Sequence, residues 1–291
     1  MEFKSKIKKY VSFKNVDLSE YAKHLDVSKD IINNQVTKFL TQYASIKEVD
    51  YIQKRDLVEL ACVSQLPRYN KEHMRLRVGL NLMGKDFEQQ LIGLNKNETV
   101  TLTINNEDVK VTILNIQRDV LPELNDTFVE SCHIEDVSTV YELENKCLSL
   151  IYTDELEEEV DEAQSYLGGV IMDQCEFELD QDEVNISYNA YKESFKDKEE
   201  LSKEFITSIT ISSLKAALLG EYCLRERNQL ITHEDYLSHI QKMAVAKNCS
   251  EEKAMEEESE ISYLIDQYAD YYMTRLENYT LTKLIELGRD K

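Results

Sequence analysis

Proline punctuates this chain only twice, at Pro67 and Pro122, and beyond Leu124 the only glycines are Gly168, Gly169, Gly220 and Gly288. A stretch with no Pro and almost no Gly lacks the two residues that most readily stop a helix, so residues 121–291 are predicted to be long helices. Three capping-box spacings mark starts: Thr139 with Glu142, Asp180 with Glu183, and Thr232 with Asp235. Reading from them gives helices near 138–174, 181–195, 201–229, 233–247 and 251–287, with Phe177 and Leu179 in a tight extended connection. No fixed-period repeat runs through them. Long helix pairs with short connections predict antiparallel arms rather than one compact bundle.

The first 120 residues read differently. KKYVSFKNVDL alternates enough for a strand or an extended lead-in, and from Ser28, an N-cap, apolar residues Ile32, Val36, Phe39, Leu40 and Tyr43 mark a helix ending near Ser45. Short runs at Leu57–Val63, Met74–Val78, Thr99–Ile104 and Val109–Ile116 predict strands, the last two with period-2 alternation. Between them, Lys85–Leu94 predicts one short helix closed by Gly93. The fold class is therefore α+β: a small antiparallel sheet with one short helix, then an elongated all-helical region. The expected domains are 1–48 (extended segment and linker helix), 49–120 (the sheet) and 121–291 (the helices).

Charge follows the same division. Residues 1–120 hold 19 Lys+Arg against 16 Asp+Glu, and residues 121–291 hold 15 against 40, so the two parts carry +3 and −25. The second part repels phosphate backbones, which argues against nucleic acid as its partner. A hydrophobic content of 42% with 17 Tyr and 8 Phe argues for a folded chain. No apolar run approaches the roughly 18–20 residues that span a bilayer, and MEFKSKIKKYVSF lacks the apolar core of a secretory signal. Six scattered cysteines without a CxxC pair fit reduced thiols in a cytoplasmic protein. The five histidines show no ligand spacing, the acidic runs Glu155–Glu162 and Glu256–Glu260 match no calcium loop, and no Walker-type phosphate loop occurs. No metal, cofactor or nucleotide is expected.

One ordered set of residues carries a family resemblance. Gly79, Phe87, Glu88, Leu91, Gly93 and Glu98 stand in the form GxxxxxxxFExxLxGxxxxE, followed by Leu121-Pro122-Glu123-Leu124 and the acidic helices. This resembles the junction in bacterial trigger factors between an FKBP-type peptidyl-prolyl cis-trans isomerase domain and a cradle-like helical chaperone domain. The resemblance implies a sheet domain of FKBP type and an ATP-independent protein-folding role. Nothing in residues 1–48 matches the family's basic ribosome-docking loop, so docking by that route is not expected.

The resemblance also implies where an isomerase pocket would lie. The floor aromatic falls on Phe87, and the aliphatic pair before its turn falls on Met83 and Gly84. Three further pocket aromatics of the family fall on Cys62, Met74 and Val109, none of them aromatic. The family's flap, with its substrate-binding Tyr, is replaced by a crossing of Asn105-Asn106-Glu107-Asp108, a hairpin turn. The pocket is therefore degenerate. Twisting a prolyl bond over a barrier of about 18–20 kcal/mol needs a closed aromatic pocket; the plain alternative for Phe87 is a core residue between helix and sheet.

In the family, clients bind weakly to scattered apolar residues inside the cradle. Candidates are Tyr188, Tyr191 and Phe195 on one helix and Tyr263, Tyr268, Tyr271, Tyr272 and Tyr279 on the last, since Tyr buries a ring while keeping its hydroxyl wet. Tyr268, Tyr272 and Tyr279 also continue a stripe with Leu264, Ile265, Leu276 and Leu284 that suits packing against a partner helix. Three functions stay open: a chaperone for unfolded or nascent polypeptides, a weak prolyl isomerase acting through Phe87, and an assembly module that clasps one partner or a second copy of itself.

Overall fold

The computed structural model describes residues 3–65, 67–104, 107–196 and 202–289. The chain is α+β and divides into two compact units, Ser28–Cys147 and Met1–Val27 with Leu148–Lys291.

The first unit opens with α1 (Lys29–Thr41), whose N-cap Ser28 accepts from the Ile31 amide. Strands β2 (Ser45–Glu48), β3 (Leu57–Val63), β4 (Lys71–Arg77), β5 (Thr99–Ile104) and β6 (Glu107–Val120) form one antiparallel sheet, ordered β2-β6-β3-β4 with β5 also on β6. In sequence order β2 follows β1 (Lys6–Lys9), which belongs to the other unit. The sheet is longer than expected. Strand β6 continues past Ile116 because Gln117–Val120 pair with β2, a strand too short and too exposed to announce itself by alternation. The Asn105-Asn106 step of the expected hairpin lies outside the described residues.

Helix α2 (Lys85–Leu91) lays Phe87 and Leu91 on the sheet. Asp56, 1% exposed, accepts from Nε and Nη2 of Arg118, each at 2.8 Å, and from the Gln53 amide at 2.7 Å. A fully satisfied bidentate pair of this kind fixes the start of β3 against β6. A second core in this unit joins Val36 and Leu40 of α1 to Val129 of α3 (Asp126–Ser131) and to Leu143 and Cys147 of α4 (Val140–Tyr152).

The second unit is built from the end of α4, α5 (Glu157–Gln174), α6 (Gln181–Ser194), α7 (Lys203–Glu226), α8 (His233–Lys247), α9 (Glu251–Glu257) and α10 (Glu260–Arg289). Strand β7 (Glu176–Glu178) pairs with β1, so the connection through Phe177 is extended as expected, and it has a partner. Two of the predicted helices are broken. Residues 138–174 divide at a 3-10 turn over Asp154–Leu156, which puts Glu157, Glu158 and Glu159 in the first turn of a fresh helix, where its dipole favours anions. Residues 251–287 divide at Glu258. Its backbone is extended, its carbonyl accepts from the Tyr236 hydroxyl at 2.9 Å, and Ser259 caps α10 by accepting from the Ser262 amide at 3.2 Å. Helices α7 and α10 cross where Gly220 meets the Tyr268 carbonyl, an approach that any side chain at 220 would prevent.

Among the described residues no helix is long and apolar enough to cross a membrane, and no group of His, Cys, Asp and Glu is arranged to hold a metal ion.

Candidate functional site

The loop before α2 is held by one carboxylate. Glu88 is 2% exposed, and its oxygens accept from the backbone amides of Gly79 at 2.6 Å, Asn81 at 2.9 Å and Met83 at 3.2 Å. Burial alone would raise this carboxyl; the amides of Asn81, Met83 and Gly79 outweigh it and hold it below the usual glutamate range. Gly79, at φ +97, opens the loop in a conformation L side chains rarely adopt. The Phe-Glu pair therefore divides its labour: Phe87 points into the sheet and Glu88 fastens the loop.

The five positions of the expected isomerase pocket meet in the core of the sheet. Phe87, Cys62 and Val109 are buried members of one cluster with Leu60, Tyr69 and Val111, and Met74 and Met83 pack against it. Burial also pushes the Cys62 thiol above the ordinary cysteine value, the direction opposite to that of an activated thiol. Three of the five positions are thus packed interior and the two methionines half-buried at its margin.

The eight candidate client-binding residues fall into two groups. Tyr263, Tyr268 and Tyr272 are buried, which corrects their expected place on a client-facing surface: Tyr268 and Tyr272 follow the packing stripe, and Tyr263 is buried beside it. Tyr263 packs between Tyr236 and His239, at centroid distances of 5.7 and 4.8 Å. Tyr268 sits edge-on to Phe3 at 5.9 Å, and its hydroxyl accepts from the Ile231 amide at 3.2 Å. The Tyr272 hydroxyl is buried with no hydrogen-bond partner among the described residues, and its pKa is raised by that burial. Tyr279 lies against Phe13 at 4.7 Å and Tyr271 packs on the helical core, both half-buried. Tyr188, Tyr191 and Phe195 are half-buried on or at the end of α6; Tyr191 stacks on Phe195 at 6.2 Å and donates to the Ser213 hydroxyl at 2.9 Å.

Of these eight, Tyr191 lines a cleft of the helical unit, about 670 Å³, between α7 and α10. Its lining joins Ile209, Ala216 and Ala269 to Met172 and Met273 and to three small polar side chains, Ser208, Ser212 and Ser213. Met273 is 45% exposed. Asp266 and Asp270 stand on the α10 rim one turn apart. Asp266 keeps solvent on its outer side, yet burial among the helices and then the Glu258 carboxylate raise its pKa. Such a lining offers apolar contact with adaptable methionines and a negative rim, and holds no nucleophile or base in a paired arrangement.

The two cleft carboxylates and the three serines stand in no motif named above. A signal was present: neither Asp266 nor Asp270 has a Lys or Arg three or four positions away, the spacing at which a helix neutralises its own acids.

No protein-family model matches the chain. No curated protein matches it. Among solved structures, one described as "Promiscuous Substrate Recognition in Folding and Assembly Activities of the Trigger Factor Chaperone" is similar to it at 14% identity, covering 93% of this chain and 71% of that one, with a TM-score of 0.28.

Proposed function

We propose that the chain is a nucleotide-independent chaperone of the cytoplasm that holds non-native polypeptide on its helical region, residues 121–291, with the sheet domain, residues 49–120, as scaffold. The observation that carries this is the contrast between the two candidate sites: of the five isomerase positions Phe87, Cys62 and Val109 are buried in the sheet core with Met74 and Met83 packed against it, while the α7–α10 cleft is open and mixes apolar with small polar side chains. Weak, distributed apolar contact suits clients that share no sequence. The resemblance of the FExxLxG and LPEL segments supports the same role.

Refolding of a client limited by a slow prolyl step tests it. That phase takes tens to hundreds of seconds, so catalysis is easily resolved. At substoichiometric amounts the protein is expected to leave the phase unchanged, and at excess to slow it while suppressing aggregation. Acceleration at substoichiometric amounts makes the protein an isomerase instead, and no effect at any ratio removes the chaperone role.

A further inference from the structure

The cleft on the helical unit has a shape more particular than a general apolar surface requires. Ser208, Ser212 and Ala216 recur every fourth residue along α7, a row of small side chains about 12 Å long at the helical rise. Ala269 and Met273 repeat the spacing on α10. Small side chains in line at this spacing leave a groove between two packed helices that accepts the ridge of a third at an axis separation of roughly 8–10 Å. The backbone groups of α7 and α10 are spent within their own helices, so the cleft offers an extended chain little beyond serine hydroxyls. A helix arrives with its own backbone satisfied.

The rim selects among helices. Asp266 and Asp270, one turn apart, have no hydrogen-bond or ion-pair partner among the described residues. They belong to a region carrying −25, and Glu258 adds to the field at Asp266. We propose that the α7–α10 cleft docks a basic amphipathic helix of a partner protein, its apolar stripe on the small-residue lining and two Lys or Arg side chains one turn apart on Asp266 and Asp270. This rests on the polypeptide-binding role above and narrows it to one partner class.

The test uses the full chain and fluorescent peptides of about 16 residues, roughly 24 Å as a helix. One carries a Leu/Ala stripe flanked by Lys at i and i+4, one has Glu at those two places, and one is the Lys peptide broken by a central Pro. The Lys helix is expected to bind at least tenfold tighter than either comparator, and more weakly as salt rises. Asp266→Asn with Asp270→Asn is expected to weaken it about five- to tenfold, as two rim pairs allow, and Ser212→Trp to abolish it by filling the cleft, both with unchanged circular dichroism. Equal binding of the Lys and Glu peptides, undiminished binding of the Pro-broken peptide, or indifference to both variants overturns the site. Run beside the refolding assay, the two claims separate: client retention without peptide preference overturns this site alone, and peptide binding without client retention overturns the chaperone role alone.

Discussion

Glu88 shows how much of a fold one side chain can decide. Its carboxylate is the acceptor for three consecutive odd-numbered amides of the loop, Gly79, Asn81 and Met83. Glutamine keeps one oxygen and turns an NH2 group toward donors, so Glu88→Gln is expected to cost about 1–3 kcal/mol in denaturant unfolding. The pH dependence has a definite sign. The folded pKa is depressed, so the stabilisation is present above the unfolded value of about 4.3 and is lost as pH falls through the lower folded value. The gap between wild type and variant should be full at pH 7 and shrink below about pH 4; a gap constant with pH would show that the loop is held by packing instead. The same carboxylate explains why Phe and Glu stand together in the sequence: adjacent helix positions point in different directions, one into the sheet and one at the loop. Phe87 and Val109 are legible as apolar core candidates, but the role of Glu88 is not, because the sequence does not show which amides a loop turns inward.

At the scale of the element, caps are the most legible feature and their exceptions the most instructive. Thr139 with Glu142 and Thr232 with Asp235 close reciprocally, each side chain meeting the other's backbone amide. Asp180 does accept from the Glu183 amide at 3.2 Å, but the Glu183 carboxylate leaves the box and accepts from the amides of Lys4 and Ser5, at 2.7 and 3.0 Å. The Asp180 amide donates instead to the Ser5 hydroxyl at 2.8 Å. A partner some 180 positions away outbids the local one, and spacing alone does not reveal it. The crossing of α7 and α10 is likewise hidden in a single glycine. An ideal Cβ on Gly220 would lie 2.0 Å from the Tyr268 carbonyl oxygen. Alanine favours the helix by about 1 kcal/mol, but overpacking a backbone contact costs about 1–3 kcal/mol or more. Gly220→Ala is therefore expected to lower the unfolding midpoint, and Gly169→Ala, whose Cβ meets nothing within 4 Å, to raise it or leave it unchanged. A stabilised Gly220→Ala would mean the two helices separate freely.

For the whole molecule, the decisive fact is that the helical unit is finished by the first residues of the chain. Phe3 is buried against Tyr268, β1 pairs with β7, Phe13 lies under Arg275 at 5.2 Å, and Leu25 donates its amide to the Gly288 carbonyl at 3.0 Å. Helix periodicity finds α7 and the stretches that hold α5 and α10, without their breaks, but is silent on this strap, because an extended segment of alternating Lys and apolar residues names no partner. Contacts that span nearly the whole chain carry a loop-closure cost and form late. The unit Ser28–Cys147, which has its own cores, is not subject to that delay. Removing residues 1–9 deletes β1, empties the Phe3 site and strips both backbone donors from Glu183, a carboxylate 3% exposed. Losing the hydrogen-bond partners of such a group costs about 1–3 kcal/mol. Hydrogen exchange should therefore accelerate through α6, α7 and α10 of the truncated protein, with the amides of β3 and β6 unchanged. Uniform acceleration would show that the two units share one unfolding step, and no acceleration that the N-terminal strand is an ornament on helices already complete without it.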